Sequence, residues 1–255
     1  MAETELKLHA IKGVPMVQPG DDLPTVVLSS LATEGIALED GDVLVLAQKI
    51  VSKAENRQFA LSDVAPGEEA QALAAEVDKD PRLVQLILDE STEVLRKKPG
   101  VLIVRHKLGL VGANAGIDQS NIDHAGAEEA LLLPEDPDAS ARHLSQTIKK
   151  RTDRTCGIII ADSMNRPWRM GTIGGAIGCA NVSVLDDHRG GTDLYGRELK
   201  VTLINRADAL AGAATLLMGE TTEKIPLVLI RGLEPFEGSG GACDIPRPLE
   251  DDMFR

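Results

Sequence analysis

Short apolar runs alternate with segments of helical period along the chain. Leu6 to Ile11 alternates as a half-buried strand does. Asp42 to Leu46, after the turn Glu39-Asp40-Gly41, reads as a compact strand, as do Gly157 to Ala161, Lys200 to Ile204 and Leu227 to Ile230. Val101 to Val104 predicts another, with Leu110 to Ala115 as its partner across Lys107-Leu108-Gly109. Helices are expected between them. Asp21-Asp22-Leu23-Pro24 supplies a cap and an early proline for Val26 to Leu31, and Gly35 a stop. Pro66 to Val77 is rich in Ala and Glu, and Asp80-Pro81 opens a helix with apolar positions Leu83, Leu86, Ile87 and Val94. Leu133 to Asp138 reads as a linker-like loop, followed by helices over Ser140 to Lys150 and Arg206 to Met218. Strands interleaved with helices predict a mixed α/β fold.

Composition narrows the function classes. Across 255 residues the net charge is −13, which argues against a protein that grips a nucleic-acid backbone through clustered Lys and Arg. Only Phe59, Trp168, Tyr195, Phe236 and Phe254 are aromatic, too few for base-stacking platforms. The core must therefore be aliphatic. Cys156, Cys179 and Cys243 share no CxxC spacing, and Cys156 opens an apolar run as a small buried hydrophobe of a reducing compartment. The first residues are acidic and polar, unlike a signal peptide, and no apolar stretch approaches the roughly 20 residues needed to cross a bilayer. A cytoplasmic protein with no membrane partner is expected.

The familiar nucleotide motifs are missing. There is no GxxxxGK[ST]. Gly171 to Gly178 does not spell GxGxxG, and it precedes a strand-like run, Asn181 to Leu185, where a dinucleotide fingerprint opens a helix. Close backbone packing is the better account of those glycines. GxSxG is absent too, and the histidines (His9, His106, His124, His143, His188) lack HxH or HExxH spacing, which disfavours zinc.

Several polar residues remain to carry chemistry. Asp162-Ser163 stands where the strand Gly157 to Ala161 runs out, a position at which open α/β sheets place ligands, although both residues are also good caps. Arg166 and Arg169 flank Pro167-Trp168 and read as a clamp for phosphate or carboxylate oxygens, or as a solvated basic loop. Asp118 lies in the polar segment Asn114 to Asn121, where an Asx-type turn is the plainer reading. Lys53 has Glu55 nearby as an ordinary surface partner, and Glu220 follows the end of the Ala-rich helix. Asp118, Asp162, Ser163 and Glu220 are oxygen donors of the kind that suits Mg²⁺ or Mn²⁺.

In order and spacing these segments resemble the coenzyme F420-0:L-glutamate ligase (F420 γ-glutamyl ligase) family from Ile11 to about Leu233. The segments concerned are Lys12 to Val17, Gly41 to Leu46, Ser52 to Glu55, Asn114 to Asn121, Asp162-Ser163, Arg166 to Arg169, Asp193 to Leu199 and Leu216 to Glu220. The resemblance implies two interleaved domains with mixed sheets in residues 1–233, with a boundary placed near residue 134. Residues 234–255, with their Gly and acidic residues, are expected to form a loosely held tail. It also implies a homodimer, and GTP, F420-0 and L-glutamate as substrates. A divalent metal, Mg or Mn, is implied on Asp118, Asp162, Ser163 and Glu220, and a monovalent cation is allowed. The guanine nucleotide falls to Val14, Pro15, Met16, Val17, Gln48, Lys53, Asn121, Met218, Gly219, Thr221 and Thr222. Beside the resemblance, Lys53, Asp162 and Arg169 are the expected catalytic residues, and the Arg166/Arg169 pair is expected from its charge to hold the acceptor.

Departures from the family pattern are Asn165 before the Arg-Pro-Trp-Arg run, the apolar Thr172 to Gly175, and Gln48-Lys49 in place of hydroxyl residues. They bear on the acceptor more than on the phosphoryl chemistry. The rival readings are a related ligase for another acidic acceptor and a nucleotide-binding regulator without turnover.

Overall fold

The computed structural model describes residues 5–122, 126, 128–234 and 240–253; His124, Phe236, Phe254 and the stretch 235–239 lie outside them. The chain runs β1 (Lys7–Ala10), α1 (Leu23–Thr33), β2 (Val43–Ala47), α2 (Gln48–Ala54), β3 (Gln58–Ala60), α3 (Glu68–Val77), α4 (Pro81–Asp89), β4 (Ser91–Lys98), β5 (Val101–His106), β6 (Val111–Ala113) and β7 (Glu129–Leu131). It continues through α5 (Pro137–Thr152), β8 (Gly157–Arg166), β9 (Arg169–Ala180), β10 (Leu185–Asp187), β11 (Leu203–Asn205), α6 (Arg206–Met218) and β12 (Leu227–Arg231). The mixed α/β class is as expected.

A five-stranded sheet, ordered β1-β12-β2-β8-β9, forms the centre. β2 and β8 are parallel, and their neighbours pair antiparallel. Strand side chains alternate between faces, which sorts the apolar runs into two cores. Leu44, Leu46, Ile158, Ile160, Leu227 and Leu229 pack with Val27, Leu31, Ile50, Leu144 and Ile148 from α1, α2 and α5. Val43, Val45, Ile159, Val228 and Ile230 face Ala207, Leu210, Ala211 and Ala214 of α6. Burial on both faces is why these strands are continuously apolar.

The segment between α2 and α5 builds a smaller unit. Its antiparallel sheet β4-β5-β6 carries α3 and α4, and Ala70, Val77, Val84, Ile87, Leu102 and Val104 form its core. β3 and β7 pair where the chain leaves and re-enters this unit. Val94, expected on the helix after Pro81, belongs instead to β4. That helix stops at Asp89, after its apolar face has been buried through Val84, Leu86 and Ile87.

The glycine-rich stretch differs most from expectation, because it is itself the long strand β9 rather than a segment ahead of one. Asn181 bends away with φ 53°, and only Leu185 onward is extended, as β10. A Cβ at Gly174 would lie 2.6 Å from the Ala211 carbonyl oxygen, and one at Gly178 would strike Pro137 at the start of α5. The glycines let two helices press on one strand, so the packing reading holds. The strand expected over Lys200 to Ile204 is β11, which begins at Leu203 and ends at Asn205.

Part of the carboxyl-terminal stretch is tied to the body. The buried Asp138 carboxylate accepts from Cys179 N at 2.7 Å, Ala242 N at 2.8 Å and Cys243 N at 3.1 Å. Among the described residues no helix is long and apolar enough to cross a membrane.

Candidate functional site

β2 ends at Ala47, and its parallel pairing with β8 stops there, at Ala161, while β8 runs on. Beyond that point opens a cleft of about 760 Å³. It is walled by the loop before α1, by α2, by the 113–122 loop of the smaller unit and by the loop after α6. Carboxyl ends of parallel strands are where the backbone leaves room for a ligand.

Five stretches of sequence meet there. Val14, Pro15, Met16 and Val17 form one wall; Gln48, Lys49 and Lys53 of α2 form the floor and a second wall. Gln48 lines the cleft while largely buried, with its Oε1 accepting from Ser52 Oγ at 2.8 Å. Asp118 and Asn121 face them, and Asp162, Ser163 and the Met218–Thr222 loop close the far side.

Each polar group is held by local structure. Asp118 exchanges backbone hydrogen bonds with Leu131 at 3.0 and 2.8 Å, fixing its loop to β7. Its Oδ1 accepts from Ser120 N at 2.7 Å, which is the anticipated Asx-type turn. Asp118 Oδ2 receives the Lys49 ammonium and Ser120 Oγ. Burial pushes the Asp118 carboxyl up, but Lys49 and the Ser120 N–H outweigh it and hold the group below its ordinary value. Lys53 Nζ donates to the Asn121 carbonyl at 2.9 Å. Across the cleft, Ser163 Oγ donates to Glu220 Oε2 at 2.6 Å.

Asp162 sits between these groups. Burial pushes its carboxyl up to about 6; the Ser163 N–H and Lys49 oppose that, while Asp118 and Glu220 add to it. A half-buried carboxylate beside Asp118 and Glu220, with Lys49 as a nearby cation, is a donor set that fits a hard divalent ion in its chemistry. The arrangement is open: among the described residues no three His, Cys, Asp or Glu side chains converge as a cage.

Arg166 and Arg169 are not beside Asp162 in this cleft. β8 continues past Asp162, and Arg166 and Arg169 pair across the turn Pro167-Trp168 at the hairpin tip. The four residues from Asp162 to Arg166 carry the guanidinium-bearing positions about 13 Å further along the strand. Trp168, with φ 63°, makes the turn and is 77% exposed.

A family model described as F420-0:Gamma-glutamyl ligase matches residues 12–232. This chain belongs to that family. It is 41% identical over 252 residues to the coenzyme F420:L-glutamate ligase of Methanothermobacter thermautotrophicus, covering 98% of this chain and 99% of the relative. Identity to the protein of that name from Methanopyrus kandleri is 44%, covering 96% and 97%. For that of Methanocaldococcus jannaschii it is 43%, covering 86% of each chain.

Within this ligase chain the sequence reading overlooked Lys49 as a participant. Lys49 and Lys53 are four apart on α2, hence on one helical face, and both reach the 118–121 loop. That spacing was visible in the sequence. What hid it was the partner, since Asp118 is distant along the chain and nothing local marks the meeting. Glu223 was missed as well. Its carboxylate turns back to accept from Thr221 N at 2.8 Å and from Thr221 Oγ1, shaping the loop that carries Glu220.

Proposed function

We propose that this chain is a GTP- and divalent-metal-dependent ligase that joins L-glutamate to F420-0 as an amide, by way of an acyl phosphate. One observation carries the reading: a single cleft gathers Lys49, Lys53 and Lys224, the oxygen donors Asp118, Asp162, Ser163 and Glu220, and the Val14–Val17 and Met218–Thr222 walls. The names of the relatives support glutamate and F420-0 as the reactants.

In the first step a carboxylate oxygen of F420-0 attacks the γ-phosphorus of GTP, and the bond to the β-phosphate oxygen breaks, releasing GDP. In the second, the deprotonated α-amine of glutamate attacks the acyl carbon. The carbon–oxygen bond then breaks, and phosphate departs with that oxygen. Two anions must meet in the first step, so positive charge has to be fixed where they approach. Lys49 and Lys53 supply it in a protein that is otherwise strongly acidic.

Asp118, Asp162, Ser163 and Glu220 would hold Mg²⁺ or Mn²⁺, which when bound neutralises phosphate charge. The apolar residues Val14, Pro15, Ile117, Ile122 and Ile225 line the same cleft and limit water around the acyl phosphate.

The reading includes a homodimer and a cytoplasmic setting. Leu194, Tyr195 and Met170 are each at least 95% exposed, and with Trp168 they leave the chain's sole tryptophan and sole tyrosine uncovered. In the proposed homodimer these are apolar groups that the partner would cover. Arg166 and Arg169 keep their proposed acceptor role through that contact, from the hairpin tip. Arg169→Ala is expected to raise the acceptor KM, and an unchanged KM removes that role.

The test of the function is phosphate release from GTP with Mn²⁺ and L-glutamate, with and without F420-0, alongside mass spectrometry of the product. Release that depends on F420-0, with a product heavier by glutamyl units, is expected. GTP binding with no response to F420-0 contradicts the acceptor assignment.

A further inference from the structure

The Lys49 ammonium sits on Asp118 Oδ2, the oxygen that also receives Ser120 Oγ, while Oδ1 is engaged by the Ser120 N–H. Both carboxylate oxygens of Asp118 are thus already engaged. The same ammonium lies 3.3 Å from Ser120 O and 3.3 Å from Ser120 Oγ, so it pins the whole turn to α2. From there it also acts electrostatically on Asp162 across the cleft.

We infer that Lys49 is the site's resident counter-ion, competing with a divalent cation for Asp118 and exchanged for it when the cation binds. This rests on the proposed reading of Asp118, Asp162 and Glu220 as oxygen donors for a hard ion. Without any cation, Asp118, Asp162, Glu220 and Glu223 facing one cleft repel each other, and the 118–121 loop has little apolar material to hold it down. Lys49 supplies the compensating charge from the chain itself. A divalent ion brings twice the charge to the same oxygen and displaces the ammonium. The flexible four-carbon stem of lysine lets the ammonium move without moving α2. Once released it remains at the cleft wall, where a polyphosphate is the natural new partner.

The exchange predicts an effect opposite to that of losing an ordinary ligand. Removing the lysine charge should tighten metal binding, because the cation no longer has to evict a competitor or sit near a like charge. For one unit charge removed from the surroundings of a divalent ion in a wet cleft, about a tenfold change is the expected size. The experiment is titration of the metal-free full chain with Mn²⁺ alone, followed by electron paramagnetic resonance of the free ion. Wild type is compared with Lys49→Met, Lys49→Gln and Lys49→Arg. Hydrogen exchange of peptides covering residues 114–122 is followed in the same samples.

The expected result is Mn²⁺ binding about tenfold tighter in both neutral variants and close to wild type in Lys49→Arg. The 114–122 amides of the neutral variants should exchange faster without Mn²⁺ and recover protection with it. If wild type binds Mn²⁺ and both neutral variants bind equally or more weakly, the counter-ion role is overturned while the metal site stands. If neither wild type nor the neutral variants bind Mn²⁺, the metal reading fails and takes the counter-ion role with it. A neutral variant that loses its fold is recognised by its melting curve, and the other then decides.

Discussion

Gly219 turns the chain after α6 at φ 70° and ψ −179°, a conformation essentially reserved for glycine, and the Glu223 carboxyl packs where a side chain would begin. Ala at this position is strained by roughly 1–3 kcal/mol and pushes Glu223 off Thr221. Gly219→Ala is therefore expected to melt several degrees lower and to raise the KM for GTP, measured by thermal denaturation and initial rates. Asp162 behaves in the opposite sense. Its carboxylate is disfavoured by burial and by its acidic neighbours, so Asp162→Asn should raise the melting temperature of the metal-free protein while lowering kcat by at least about 10². A fall in both would show that the carboxylate is held for stability instead.

At the level of elements, Arg57 links the two units of the fold. It follows α2 and donates from Nε to the Leu133 carbonyl at 2.9 Å, from Nη2 to Glu90 at 2.6 Å and from Nη1 to Glu135 at 3.1 Å. Its pair with Glu90 is largely buried. Arg57→Ala leaves that carboxylate without its best partner and is expected to cost about 3 kcal/mol in denaturant unfolding. His106, then Arg57, hold the Glu90 carboxyl below its ordinary value of 4.5. A depressed carboxyl contributes stability that is fully present above its unfolded value and lost as pH falls through the lower folded one. The melting-temperature gap between wild type and Glu90→Gln should therefore be widest above pH 4.5 and close below it.

Elements were legible where chemistry is local. α6 starts and ends as read, because Asn205 accepts from Asp208 N at its start and Gly219 ends it. β8 was cut short because Asp162 to Arg166 is polar, and β9 was missed because Gly171 to Gly178 has little side-chain pattern to read. Their extension is set by pairing with each other, a tertiary fact that propensity does not contain.

On the scale of the whole molecule, the cleft is where the sequence said least. Val14, Lys49, Asp118, Asp162 and Glu220 come from separate parts of the chain and meet where β2 ends and its pairing with β8 stops. The types of residue were recognisable from the sequence itself, whereas their convergence was expected only through the family resemblance. The same scale governs association. Sedimentation of the proposed homodimer should give twice the 27.1 kDa of one chain, and Leu194→Glu with Tyr195→Glu should return it to one. A monomeric wild type would leave those exposed apolar groups without the partner assigned to them.

The central claim is that this cleft activates a carboxylate by phosphorylating it. F420-0 carrying ¹⁸O in its carboxyl group tests that directly, with GTP, Mn²⁺ and L-glutamate present and the released phosphate analysed by mass. An acyl phosphate leaves one labelled oxygen in each phosphate released, because the bond that breaks is the one from carbon to oxygen. Unlabelled phosphate alongside glutamylated product would contradict the account.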